Sequence, residues 1–312
     1  MGNLSVSLNS VLPLFLMMLV GFIFGKLGLI SNEFIFKTNK LVFKFFLPCM
    51  FFANIYNSDL KNVFNPKLII YCVVMLTIIF VLSIVFVLLT QKDNKRRGAM
   101  VQALFRSNYV ILGLPLVTFL FGDASAATST IVAAFIVPFF NIYAVIILEI
   151  FRGGKANVKT ILLSILKNPM ISALLLALAV KLIGIKLPYI LTYTIGSFGA
   201  VTTPLSLLML GAFFRFDNMK NDLKDIITST VGRLIVVPLI AVFFAVLLGF
   251  RDLDLCCILI AFAAPVAISS FPMAQQMDSD YTLAGEAVIF QSVLSCFTLF
   301  IWIFLIKQLG FM

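Results

Sequence analysis

Residues 264–277 read APVAISSFPMAQQM, with Pro265 and Pro272 seven positions apart, and residues 106–116 read RSNYVILGLPL, with Asn108 seven positions before Pro115. Both stretches lie inside apolar runs long enough to cross a bilayer, yet neither can stay helical throughout. Proline has no backbone N–H, and its ring collides with the carbonyl four residues earlier. Unwound backbone at membrane depth is tolerated only where protein packs it or a watery cavity borders it, and in a symmetric bundle that is where cargo binds.

The 312 residues are 62% apolar and 12% charged, with 34 phenylalanines. That composition predicts an all-α, polytopic membrane protein. Ten runs approach the roughly 20 residues that a spanning helix needs. They lie near 8–25, 36–56, 66–90, 99–121, 125–150, 161–184, 190–213, 226–249, 254–277 and 281–306. The short links predict one integral unit over residues 1–312. Residues 1–10 hold no Lys or Arg, so the first run is expected to remain rather than be cleaved as a secretory leader. Cys49, Cys72, Cys256, Cys257 and Cys296 all fall in apolar runs without metal-ligand spacing, and the chain has no His. They read as small core residues, and no cofactor or metal is expected.

Of the 23 Lys and Arg, 14 fall in the odd-numbered links, 6 in the even-numbered links and termini, and 3 (Lys44, Arg106, Arg233) inside spans. The positive-inside rule then places both termini outside the cytoplasm, in a cell (plasma) membrane protein. The net charge of +10 is what that topology requires, so nucleic acid is not an expected partner. Pro13 and Pro169, Pro48 and Pro204, and Gly28 and Gly184 are each 156 positions apart, and Pro115 and Pro272 are 157 apart. Two copies, 1–152 and 160–312, each with five spans, form a 5+5 inverted repeat because an odd number of spans reverses the second copy.

In such a repeat the C-terminal halves of spans four and nine point their N-termini, each with free N–H groups and about half a positive charge, toward one midplane point. An anion fits there. The breaks carry the uncharged hydrogen-bonders Ser107, Asn108, Tyr109, Ser269 and Ser270, with Gln275 and Gln276 farther along, and no acid. Asn54 and Asn141 suit either a cavity wall or an interhelical hydrogen bond. Pro13, Pro138 and Pro238 read as simple kinks, and Lys44 as a snorkelling lysine. Arg106 is placed to draw a carboxylate inward. Arg233 and Glu286 are expected to pair with each other or with Arg106 and Glu149, and the structural and functional readings of these charges both stay open.

The phrases RSNYVILGLPL (106–116), NPMIS (168–172), PLSLLMLGAF (204–213), VGRLIVVPLI (231–240) and APVAISSFPMAQQM (264–277) resemble, in order, the signatures of the auxin efflux carrier family. That family includes bacterial malate and malonate permeases and the plant PIN carriers. The resemblance implies a fold similar to the bile acid sodium symporters and Na+/H+ antiporters, in which the broken fourth and ninth helices cross. It implies a dimerising scaffold of spans 1, 2, 6 and 7, and a transport domain of spans 3–5 and 8–10 that moves as an elevator. It also implies that Asn108 holds the cargo's carboxylate, while Pro265 stands at the corresponding place in the ninth helix. Backbone donors with Ser269 or Ser270 are then expected to complete the site. Residues 151–167 are too few for the long regulatory loop of many plant members.

The reading is therefore a carrier of small organic anions acting on a carboxylate within the lipid bilayer, as a homodimer. A Na+- or H+-coupled symporter or antiporter of the same fold, with Glu286 as the proton-coupling group, is the first alternative. A membrane ligand sensor is the second. An enzyme is disfavoured, because the chain has no HExxH and no nucleophile beside a base.

Overall fold

The computed structural model describes residues 2–57, 65–110, 114–122, 125–152, 167–214 and 219–312. Among these residues all regular structure is helical. The helices are α1 (Gly2–Lys26), α2 (Asn32–Leu41), α3 (Leu47–Tyr56), α4 (Pro66–Thr90), α5 (Asn94–Phe105), α6 (Leu114–Phe121) and α7 (Ala126–Ile150). They are followed by α8 (Pro169–Ile183), α9 (Tyr189–Phe213), α10 (Met219–Val231), α11 (Val237–Leu247), α12 (Asp252–Ala263), α13 (Ser270–Gln276) and α14 (Tyr281–Gln308). A π turn, Val42–Phe46, joins α2 to α3, and another, Gly232–Val236, joins α10 to α11. Each precedes a proline in the first turn of the next helix, Pro48 and Pro238. Widening the turn relieves the clash between the ring and the carbonyl four residues back, so Pro238 produces a π turn where a simple kink is expected from sequence.

Among the described residues, five stretches are long and apolar enough to cross a membrane: Pro66–Thr90, Thr128–Ile150, Tyr189–Phe213, Asp222–Leu247 and Tyr281–Gln308. Phe15–Lys26 and Pro169–Ile183 are shorter apolar helices. Leu89, Leu182, Ile190 and Leu247 are among many large apolar side chains left exposed, as a lipid-facing surface requires. Lys44 is exposed as well. The architecture is that of a multi-pass membrane protein. The 12-residue helices α5 and α12 stop short. At 1.5 Å per residue each is about 18 Å long, against a hydrocarbon core of about 30 Å. Residues 106–108 and 264–269 are not helical, Tyr109 and Val110 take π geometry, and α6 and α13 begin at Leu114 and Ser270.

One wall of the molecule is built by α1 lying along α9, with α3 packed on α8 and α9. The other is built by α4 on α5 and α7, α11 on α12, and α14 on α13, α10 and α5. A large apolar core runs through the second group and takes in Leu47 and Phe51 of α3 and Met170 and Ile171 of α8, and a smaller cluster including Met18, Leu207, Leu210, Ile268, Phe271 and Val288 joins α1 and α9 to α13 and α14. Four of the five cysteines are buried, Cys49 is half-buried, and all are free thiols.

The contact between α1 and α9 is backbone on backbone. A Cβ at Gly21 would strike the carbonyl of Leu208, one at Gly25 would lie 2.7 Å from the carbonyl oxygen of Ala212, and one at Gly211 would strike the carbonyl of Met18. Small residues four apart are how membrane helices approach so closely. Gly196, also on α9, has open space instead. Gly21→Ala is therefore expected to cost about 1–3 kcal/mol by overpacking. Gly196→Ala should be neutral or slightly stabilising, because Ala is the better helix former. Thermal unfolding of the two variants in detergent compares them directly.

Candidate functional site

The two interruptions touch. The backbone N–H of Asn108 donates to the carbonyl of Pro265 at 2.8 Å, so the chain leaving α5 crosses the chain leaving α12. An α-helix leaves its last four carbonyls without intrahelical donors, and here they end inside the protein. Arg233, fully buried, supplies three donors: Nε to the carbonyl of Ala264 (2.8 Å) and the two Nη groups to those of Phe105 (2.9 Å) and Ala261 (3.1 Å). Gln291 of α14 bridges the same crossing, its Nε2 donating to the carbonyl of Ala103 (3.1 Å) while its Oε1 accepts from the N–H of Val266 (3.0 Å). Arg233 thus sits where two helix C-termini, each carrying about half a negative charge, come together. The acidic partner expected for it is replaced by carbonyls. Glu149 pairs with Arg152 (3.4 Å), and Glu286 lies elsewhere, so neither neutralises Arg233 or Arg106.

Arg106 is 1% exposed and reaches across the crossing. Its guanidinium donates to Ser269 Oγ (2.7 Å), Asn141 Oδ1 (2.8 Å), Gln102 Oε1 (3.0 Å) and Ser270 Oγ (3.2 Å), and lies 2.9 Å from Met273 Sδ. Every partner is neutral. Asn141 is fixed in turn by donating to the carbonyl of Val137 (2.9 Å). Among the described residues, four donors beside the crossing have no partner: Arg106 Nε, Ser107 Oγ, Asn108 Nδ2 and Gln102 Nε2. A buried donor without an acceptor costs about 1–3 kcal/mol, so this cluster is unfavourable unless a guest accepts from it.

Arg106, Ser107, Asn108, Asn141 and Ser269 line a cavity of about 70 Å³ whose opposite wall is Asn54 of α3 with Thr202, Thr203 and Ser206 of α9. A second cavity of about 220 Å³ shares Asn54 and Asn141 with it and continues past Pro138 to Asn57, where α3 has ended. On the other side of the crossing Asn39 of α2, fully buried, donates to Gln275 of α13 at 2.8 Å and ties the two walls together. The cavities thus run from the crossing toward the C-terminal end of α3, and the Asn39–Gln275 contact lies toward its N-terminal end.

The structure gathers Arg106, Ser107, Asn108, Asn141, Pro265, Ser269 and Ser270 at the crossing, with Asn54 facing them. Pro272 is buried within α13. Pro115 lies in α6, but its side chain is outside the described residues, as are residues 111–113. Tyr109 does not join the cavity, because its hydroxyl is 2.8 Å from Ser129 Oγ in the core. Gln102, Gln291, Asn39, Thr202 and Ser206 escape the sequence reading. An uncharged amide inside an apolar run was the available signal for the first three.

Glu286 lies near the start of α14, away from the crossing, in an acidic cluster. Arg96 of α5 contacts Asp222 at 2.6 Å and Asp225 at 2.7 Å, both on α10. Asp280 caps α14 by accepting from the N–H of Leu283 at 3.0 Å. Burial pushes the Asp280 carboxyl above its usual range, with Asp222 adding to the shift and Arg96 opposing it. Among the described residues no group of three or more His, Cys, Asp or Glu is arranged to hold a metal ion.

Residues 6–303 match the family model described as Membrane transport protein. Similar proteins include a transporter of Methanothermobacter thermautotrophicus, 23% identical over 95% of this chain and 97% of its own length. The transporter YfdV of Escherichia coli K12 is 24% identical over 93% of this chain and 94% of its own. MJ1031 of Methanocaldococcus jannaschii is 21% identical over 95% and 98%. All three bear the description "uncharacterized transporter".

Proposed function

Because this chain belongs to the membrane transport protein family, that of the auxin efflux carriers, we propose that it is a secondary carrier of small carboxylates such as malate, malonate or auxin-like acids. The observation that carries this reading is the guanidinium of Arg106, which has no acidic partner among the described residues and stands among donors that lack acceptors, facing a cavity. A carboxylate offers only acceptors, and its charge offsets the buried cation. Arg106 and Asn108 hold the cargo, Ser107 and Ser269 border it, and Asn54, Thr202 and Ser206 form the opposing wall.

The described helices support a 5+5 inverted repeat. Counting α2 with α3 and α10 with α11, they form two series, α1 to α7 and α8 to α14, in the same order and about 156 residues apart. Gly28 and Gly184, at equivalent places, both take a left-handed backbone with φ of 75° and 78°. In this reading α1, α2, α3, α8 and α9 form a dimerising scaffold, and the rest slide against it as an elevator carrying the crossing. On the positive-inside reading of the links, the Asn57 end of the cavity lies outside the cytoplasm, with both termini. The Asn39–Gln275 contact then closes the cytoplasmic side of an outward-facing state.

Asn108→Ala is expected to weaken malonate binding roughly ten- to hundredfold, the worth of one hydrogen bond to a charged group. Uptake by proteoliposomes and malonate-dependent thermal stabilisation measure it. Unchanged stabilisation in the variant would place the cargo elsewhere.

A further inference from the structure

Glu286 is 3% exposed, and among the described residues neither of its carboxyl oxygens has a hydrogen-bond partner. The charged groups that face it come from three places. Asp222 of α10 lies beside it, close enough for one proton to bridge the two carboxyl groups, and Asp280 and Arg96 lie farther off. Arg96 is already engaged by Asp222 and Asp225. Among the described residues, the other elements packed on α14 offer no neutralising charge. α13 has no ionisable side chain, and Arg233 of the adjoining π turn spends its donors on carbonyls. Lys26 of α1 sits over the Phe22 ring, and Asp254 of α12 accepts from Asn65.

Among the described residues one guanidinium thus faces four carboxyl groups, of which Glu286 alone has no donor. Two ionised carboxylates are both acceptors and cannot bond to each other. A single proton turns the repulsion into a hydrogen bond, as in carboxyl pairs that share one. We infer that Glu286 and Asp222 form a proton-binding site, through which movement of the anion is coupled to movement of H+. The proton bonds to a Glu286 oxygen, and the O–H donates to the Asp222 carboxylate. Loss of the proton to water restores two carboxylates, stabilised only when Arg96 turns toward Glu286. The helices that hold the site, α5, α10 and α14, belong to the proposed moving part, and its coupling role rests on the carrier reading. The proton site itself does not.

Infrared difference spectra of the protein in lipid vesicles, titrated from acid to alkaline pH, read the site without any cargo. The expected result is a protonated-carboxyl stretch that persists to neutral pH, is missing in Glu286→Gln, disappears at lower pH in Asp222→Asn and is unchanged in Glu149→Gln. Absence of such a band in the natural protein, or its survival in Glu286→Gln, overturns the site whether or not the protein carries anions. The second arm adds malonate to proteoliposomes and follows external pH. Alkalinisation with uptake in the natural protein, lost in Glu286→Gln, supports coupling. Malonate uptake without a pH change overturns coupling and leaves the carrier reading standing. Absence of uptake and of malonate binding overturns the carrier reading, and with it coupling, while the infrared result still decides the proton site.

Discussion

Arg106→Gln is expected to abolish malonate binding at concentrations that saturate the natural protein. Truncating one partner of a buried, hydrogen-bonded charge pair costs about 2–5 kcal/mol, which is roughly a thirty- to several-thousand-fold loss of affinity. The expected effect on folding is small. Arg106 bonds only to neutral groups, so no carboxylate is stranded when its charge goes, and the desolvation cost of the cation goes with it. Asn141, Ser269 and Ser270 can re-pair with the new amide. Without malonate, the variant should therefore unfold at or slightly above the temperature of the natural protein. With malonate, only the natural protein should gain stability. Arg106→Lys keeps the charge but loses the planar fork, and an intermediate affinity is expected. A variant that loses apparent stability without gaining or losing any response to malonate would make Arg106 a structural residue.

The interruptions were legible because proline acts locally. Pro265 and Pro272 forbid a continuous helix wherever the rest of the chain lies, and the repeat directs attention to Asn108 and Pro115. The Asn108–Pro265 hydrogen bond follows the breaks but joins residues 157 positions apart, and only folding brings them together. What held the breaks in place was not legible. Charge arithmetic suggests an acid for Arg233, because a cation within an apolar run calls for a counter-charge. The carbonyls left over at two helix ends meet that need through partial charges that no residue type announces. Gln291 and Asn39 look like ordinary polar residues within apolar runs until their partners at Ala103, Val266 and Gln275 are known. Thr202 and Ser206 gave less signal still, since small hydroxyl residues in membrane helices usually satisfy themselves on their own backbone, as Ser83 and Thr90 do here.

Arg233→Met is expected to damage the fold rather than the cargo site alone. The methionine fills much of the space but donates nothing, leaving the carbonyls of Phe105, Ala261 and Ala264 unpaired. At about 1–3 kcal/mol for each buried unsatisfied group, the summed cost is about 3–9 kcal/mol, comparable to the whole stability of many proteins. Removing the desolvation cost of the arginine offsets part of this, but the remaining dipoles of α5 and α12 then point at each other without a cation between them. The expected readouts are low yield in the membrane, early thermal unfolding and no rescue by malonate. Arg233→Lys supplies charge and up to three donors from one flexible nitrogen, and it should recover stability only in part. Gln291→Leu, which frees the carbonyl of Ala103 and the N–H of Val266, should cost less than Arg233→Met because it leaves two groups unpaired rather than three and removes no charge. Arg106→Gln and Arg233→Met thus separate the two arginines. The first is expected to lose the ligand and keep the fold, and the second to lose the crossing on which any ligand site depends. An Arg233→Met protein as stable as the natural chain would mean that water or neighbouring groups cap these helix ends instead.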